Sequence, residues 1–282
     1  MIRALRSAFF RYRKTRLPLY VLILSVVSAL AVLQHANFEI NANIISIYMF
    51  LRPRYFDNTI VIYSIYYMAF VIPFLTAVYC LIFTGSDISA RAVNNRIATG
   101  ISRAAVYFSD LMFNAISTLA SLIICLIVIF IYAKYVPVKE NVRLDADIIG
   151  LFLRVTVICL AFTALFTLIQ FFFSNKFFGI IVSLLLLPCM FTITQSMQDA
   201  LENPYRYSYK DEETGEMKWE LNPDYVGGTA RDVLTVVYKC SPYSEYMYED
   251  DSSSYYQVIG AGAIIVISTA LGYVTVSGKE YS

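Results

Sequence analysis

In a chain short of charge, chemistry falls to the few charged residues that cluster. One cluster lies in GSDISARAVNNRIATGISRAAVYFSDL, residues 85–111, between two long apolar runs. Arg91, Arg96 and Arg103 stand over 85–103 against one acid, Asp87, with Asn94-Asn95 beside them. Such residues can dock a charged partner, but they neither make nor break bonds. Read as a helix, 88–101 puts Ala90, Val93, Ile97 and Ile101 on one stripe, with Arg91, Asn95 and Thr99 opposite. Gly85 before it and Gly100 near its end permit sharp chain reversals. Two readings fit: a solvated loop whose arginines only orient the chain, or a helix that docks a partner.

No hydrolytic chemistry is visible. The sequence has no nucleophile elbow, no HExxH and no carboxylate pair in a pocket, and no GxxxxGK[ST] to cradle ATP. Cys80, Cys125, Cys159 and Cys189 lie singly in apolar segments and Cys240 in a polar one, so ordinary buried thiols are expected in place of a zinc or redox site. Within apolar segments, Arg154 either snorkels outward or pairs with Asp145 or Asp147. Asp110, two turns past Arg103, is expected to form a local pair near the membrane rim. Gln170 is expected to hydrogen-bond between helices, and Pro188 to kink its helix. Arg154, Gln170 and Pro188 are the candidate pathway or gate residues. His35 is expected at the membrane surface.

The elements that position these residues follow from composition. The 282 residues are 58% hydrophobic and 15% charged, with a mean hydropathy of +0.60, where soluble domains carry about 25% charge. A net charge of +1 gives no field for nucleic acid. About 20 apolar residues cross a bilayer, and six stretches qualify: roughly 17–34, 59–84, 104–133, 148–173, 177–196 and 256–277. Residues 1–16 carry Arg3, Arg6, Arg11, Arg13, Lys14 and Arg16 without an acid, which assigns that end to the cytoplasm. The loop 85–103, the turn Ser174-Asn175-Lys176 and the tail Gly278-Lys279-Glu280 then share its side, and both termini are cytoplasmic. A cleaved signal peptide ending near Ala29-Leu30-Ala31 is the alternative for the start, and leaves the later topology unchanged.

Residues 1–16 also have helical order. Met1, Ile2, Leu5, Phe9 and Tyr12 share one side, and Arg3, Arg6, Arg11, Arg13 and Lys14 cover most of the rest. This reads as an interfacial helix on anionic lipid, or as a plain orientation signal. Segment 197–255 falls outside, with thirteen acids against five Lys and Arg. Its Asp211–Glu216 run reads as a turn between two extended or short helical pieces.

These residues resemble a family. A span ending Phe83-Thr84-Gly85, an acidic position (Asp87), an amphipathic helix, Gly100-Ile101-Ser102-Arg103, and a helix opening Ala105-Val106-Tyr107-Phe108-Ser109-Asp110-Leu111 resemble the first cytoplasmic loop of ABC-2 type permeases, the membrane subunits of many bacterial ABC exporters. Asn95, Arg96, Gly100, Ser102, Arg103, Tyr107 and Ser109 match. The family's Gly-Thr-Ile-Arg run does not, and Arg91-Ala92-Val93-Asn94 stands in its place. The basic start, six spans, outer segment between spans five and six, and ending LGYVTVSGKEYS also resemble the family.

The resemblance implies an all-α polytopic fold of the type V exporter kind. Residues 1–16 would be the interfacial helix, 17–196 spans one to five, 197–255 the extracellular segment, and 256–282 span six with its tail. It implies a coupling helix seated on a separate cytoplasmic ATPase, with Asp87, Arg91, Asn95, Arg96, Ile97, Gly100, Ser102 and Arg103 at that contact. ATP and Mg would be held by the partner, with no cofactor in this chain. It also implies a second permease subunit and short re-entrant helices at Gln195–Leu201 and Pro242–Tyr248. The expected protein is not an enzyme but the transport subunit of an exporter for an amphipathic or hydrophobic peptide, drug or lipid in a bacterial plasma membrane. The acidic, tyrosine-rich outer segment would suit a cationic amphipathic peptide. The rivals are a stand-alone secondary transporter or channel, which would need paired intramembrane charges on several spans, and a non-transporting sensor or scaffold.

Overall fold

The structure is a computed structural model and describes residues 1–41, 59–135, 146–173, 175–210, 217–244 and 254–278. Its helices in chain order are α1 (Ile2–Lys14), α2 (Leu17–Asn41), α3 (Thr59–Cys80), α4 (Ser86–Ser89), α5 (Ala92–Ala98), α6 (Arg103–Tyr135), α7 (Ala146–Phe172), α8 (Lys176–Glu202), α9 (Gly228–Cys240) and α10 (Ser254–Gly278). A π-helical turn, Leu81–Gly85, joins α3 to α4. Two strands, β1 (Arg206–Lys210) and β2 (Met217–Leu221), pair antiparallel with Arg206 opposite Leu221 and Lys210 opposite Met217.

Among the described residues, six helices are long and apolar enough to cross a membrane: Leu17–His35, Val61–Ser89, Arg103–Tyr135, Ala146–Phe172, Phe177–Glu202 and Tyr255–Gly278. They coincide with the six apolar runs, as in an all-α polytopic membrane protein. The fifth runs past its expected end. Helix α8 passes through Pro188 and continues to Glu202, so Gln195–Leu201 is the end of a long helix and not a separate re-entrant piece. Residues 245–248 of the other expected piece, the Asp211–Glu216 turn, Asp145, Ser174 and the tail Lys279-Glu280 lie outside the described residues. The extended pieces expected beside that turn are β1 and β2.

The chain divides into two compact units, Met1–Leu187 with Ala261–Ser282, and Pro188–Gly260. In the first, two buried clusters organise the helix ends. Ala8, Leu17, Val21, Tyr79, Phe83 and Phe113 join α1, α2, α3, the π turn and α6. Val93, Val106, Tyr107, Phe171 and Val276 join α5, α6, α7 and α10, with Ile88, Ile97 and Ile101 packed against them.

Higher in the first unit, α6 presents a polar stripe to its neighbours. The Asn114 amide donates to Thr84 at 2.9 Å and to Thr167 at 3.0 Å. The Thr118 hydroxyl lies 3.1 Å from that of Thr76 and 3.0 Å from that of Thr163. Ser121 donates to the Tyr79 hydroxyl at 2.9 Å. In hydrocarbon, helices gain nothing from hiding apolar surface, so close packing and such hydrogen bonds hold them together.

In the second unit α9 runs beside the end of α8. Arg231 donates to the Leu201 carbonyl, and the Thr194 and Ser241 hydroxyls meet at 2.5 Å. Gly260 lies so close to the Cys240 carbonyl that a Cβ there would collide with it. Gln257 donates to Ser244 at 2.8 Å and completes the turn after α9. Helix α9 itself was not expected. Its alternation of polar and branched residues is too weakly apolar to resemble a span and too short to dominate its window.

Candidate functional site

The residues singled out between 85 and 111 gather at the end of the bundle where α1 lies. Their local structure differs from a single helix over 88–101. Arg91 adopts a left-handed conformation, φ 54° and ψ 18°, and splits the segment into α4 and α5. An arginine held there carries about 1–2 kcal/mol of strain. The break takes Ala90 off the expected apolar stripe and leaves it exposed. Helix α5 is seven residues long, too short to persist without tertiary support.

Its end is a Schellman motif. Gly100, with φ 84°, donates to the Ile97 carbonyl at 2.9 Å, and Ile101 to the Arg96 carbonyl at 3.2 Å. That six-to-one bond needs the left-handed residue glycine supplies. Ser102 then caps α6, its hydroxyl accepting from the Ala105 N–H at 3.3 Å.

Four charges from four helices close into a ring. Asp110 of α6, 0% exposed, accepts from Arg11 of α1 at 3.0 Å and from Arg96 of α5 at 3.0 and 3.3 Å. Asp87 of α4 accepts from the same Arg96 at 3.0 Å and pairs with Arg11. Each arginine therefore meets both carboxylates, and the ring is neutral. The Arg11 guanidinium also lies 4.8 Å from the Phe83 ring centre. Burial, its largest influence, lowers the Arg11 pKa; Asp110 opposes the shift and Arg96 adds to it. The Nε atoms of both arginines are buried without a partner among the described residues. Desolvation offsets most of what such a ring gains, so its effect is to define geometry more than to add stability. Moving any one of the four helices misaligns the others' charges.

This placement revises two expectations and fills in a third. Arg96 is not a surface residue; it is 7% exposed and held inside the ring. Asp110 forms the pair expected of it, with Arg11 and Arg96 as its partners. Arg11, grouped by helical periodicity with the lipid-facing arginines, turns inward. A signal for Arg11 was present: it falls on the side of Ala4 and Ala8, both 0% exposed, and small residues mark where a helix approaches its neighbour closely.

The start of α6 also grips α10. Arg103 donates to the Ser277 carbonyl at 2.7 Å, one of the unpaired carbonyls at a helix C-terminus. Four residues on, Tyr107 donates to the Ser268 carbonyl at 3.3 Å. Its ring fills the notch at Gly272, where any Cβ would overlap the phenol. The residues left facing outward from the loop are Ser89, Ala90, Arg91, Asn95, Ala98, Thr99, Gly100 and Ser102, with Asp87, Ile97 and Arg103 half-buried.

The other candidates lie elsewhere. Arg154 is half-buried, and its guanidinium folds back toward Gly150, one turn nearer the start of α7. Gln170 is fully buried, yet neither amide atom has a partner among the described residues, against the interhelical bond expected of it. Its oxygen would sit 2.6 Å from a Cβ at Gly179 of α8. Of the cysteines, Cys80, Cys125 and Cys159 are buried as expected, while Cys189 is exposed and Cys240 intermediate.

These features define a multi-pass membrane protein with a folded loop between its second and third apolar helices. Comparison with family models, curated proteins and solved structures gives no match for the chain.

Proposed function

We propose that this chain is the membrane-spanning permease subunit of an ATP-driven ABC exporter. It carries an amphipathic or hydrophobic peptide, drug or lipid out of a bacterial cell, using a separate cytoplasmic ATPase that holds ATP and Mg. A second permease subunit completes the pathway.

The observation that supports this most directly is the construction of the loop. Its apolar side, Ile88, Val93, Ile97 and Ile101, is fastened to the bundle. Its charges tie it to α1 and α6. What remains outside is a compact surface around Arg91, Asn95 and Thr99. A loop serving only to reverse the chain needs no such bracing. One that must pass a push from a partner to several spans does, and Arg103 and Tyr107 extend the path to α10. The thirteen acids of 197–255 favour a cationic amphipathic peptide among the substrate classes.

The test is purification of the tagged chain in mild detergent with crosslinking, comparing wild type with Arg91→Glu and Asn95→Arg. Both positions are exposed, so the variants keep the fold, judged by gel filtration. An ATPase subunit recovered with wild type and lost with both variants is the expected result. Recovery of no ATPase with wild type would remove the exporter reading and favour a stand-alone transporter or sensor.

A further inference from the structure

We infer that α1 is an anionic-lipid-binding element whose seating on the bilayer sets the position of the 86–99 loop through the Arg11–Asp87–Arg96–Asp110 ring.

The helix has three sectors. One faces the protein, with Ala4 and Ala8 buried and Arg11 in the ring. Tyr12 belongs to it, its ring tilted against Phe113 and edge-on to Phe83, at 5.3 and 6.0 Å between ring centres. A second carries exposed apolar residues, Met1, Ile2 and Phe9, while Phe10 lies among the cations of the third, under Lys14. A third is cationic: Arg3, Arg6, Arg13 and Lys14 are exposed, as is Arg16 just after the helix. Arg3, Arg6, Arg13 and Arg16 are in no ion pair among the described residues.

Position chooses the occupant. Only Thr15 and Arg16 separate α1 from α2, the first apolar helix. Phe9 and Tyr12 contact Phe113 of α6, just past Asp110, beyond which that helix carries no charge until Lys134. Helix α1 therefore lies level with the rim of the hydrocarbon. There an apolar sector enters the acyl boundary while a cationic one meets phosphates. Five cations without an acid match the charge of an anionic leaflet.

The linkage follows from Arg11. Rolling or lifting α1 moves Arg11 relative to Asp87 and Asp110, and Arg96 on α5 shares both carboxylates. A leaflet that holds α1 in the observed roll therefore holds the loop too. This inference needs no ATPase and no transport direction, so it stands or falls separately from the exporter reading.

The experiment places the full chain in nanodiscs of phosphatidylcholine alone, or with about a third phosphatidylglycerol, and follows hydrogen exchange in α1 and in residues 86–99. Couplings of this kind start at about fivefold, so the anionic discs should slow loop exchange by about that factor. The Arg3/Arg6/Arg13/Lys14→Gln variant should lose the slowing in both segments. Arg11→Met should keep it in α1 and lose it in the loop. Should Arg11→Met not fold, Arg11→Met/Asp87→Asn makes the same comparison, since it cuts α1 out of the ring and leaves Arg96 and Asp110 as a neutral pair. Slowing confined to α1 in wild type, loop slowing that survives the ring variant, or no response in either segment overturns the inference.

Discussion

Replacing Asp110 by leucine should be among the costliest single changes in the first unit. The carboxylate is 0% exposed and accepts three hydrogen bonds, at 3.0, 3.0 and 3.3 Å, from two arginines. Three charge-assisted bonds at about 1.5–3 kcal/mol each would suggest a larger figure, but both arginines keep Asp87. What remains is one uncompensated buried positive charge, a loss of about 3–5 kcal/mol. Asp87→Leu should cost less, about 1–3 kcal/mol, because its side chain is 13% exposed and Asp110 still holds both arginines. Arg96→Met leaves the opposite excess. The double variant Arg96→Met/Asp110→Leu removes one charge of each sign, leaving Arg11 with Asp87. Its cost should fall short of the summed singles by as much as about 3 kcal/mol. Equilibrium unfolding in mixed detergent–SDS micelles, followed by loss of helical circular dichroism, measures all four. An Asp110→Leu cost under about 1 kcal/mol, or singles that add to within about 0.5 kcal/mol, would refute a closed ring.

Arg91→Gly should relieve the left-handed strain, and after the entropy glycine adds to the unfolded chain the net gain is about 0.5–1 kcal/mol; Arg91→Val should instead destabilise, in the same unfolding assay. Gly272→Ala should cost about 1–3 kcal/mol by driving a Cβ into the Tyr107 phenol, and the loss should shrink in a Tyr107→Leu background. In the hairpin, Tyr207 donates to Glu220 at 3.2 Å, and that bond first, then the negative charge of Glu220, raises its pKa above the ordinary 10.0. The associated stability is present below the unfolded value and is lost as pH rises through the folded one, so it bears only on alkaline solution. Glu220→Gln should return the Tyr207 titration toward its ordinary value, read by ultraviolet difference against Tyr207→Phe.

Much of the architecture was legible because hydrocarbon demands long apolar helices, and six such runs cannot hide in a sequence. One helix end was legible too: Gly100 stands near where the loop helix must stop. The candidate site was legible only in its parts. Helical periodicity within 88–101 assumes an unbroken helix, and nothing about Arg91 announces a left-handed residue. Periodicity also assigns Arg11 and Arg96 by the average character of their faces. Their actual surroundings come from Asp110, 99 and 14 residues away. An ion pair that distant is a property of the tertiary fold. Gln170 and Gly179 teach the same lesson, since their contact arises from how α7 and α8 meet.

The polar stripe of α6 limits how that helix can move. Asp110, Asn114, Ser117, Thr118 and Ser121 lie along one buried side, and Met112, Ile116, Ile123, Ile127 and Ile131 are exposed on the other. Rolling the helix about its axis would carry several hydrogen-bonding groups toward lipid, at several kcal/mol for each left unsatisfied. Sliding along the axis or tilting about the Asn114 level keeps that side facing the neighbouring helices. A push delivered to Arg103 can therefore travel up α6 as a piston stroke or a lever swing, while the screw motion open to an evenly apolar helix is closed to it.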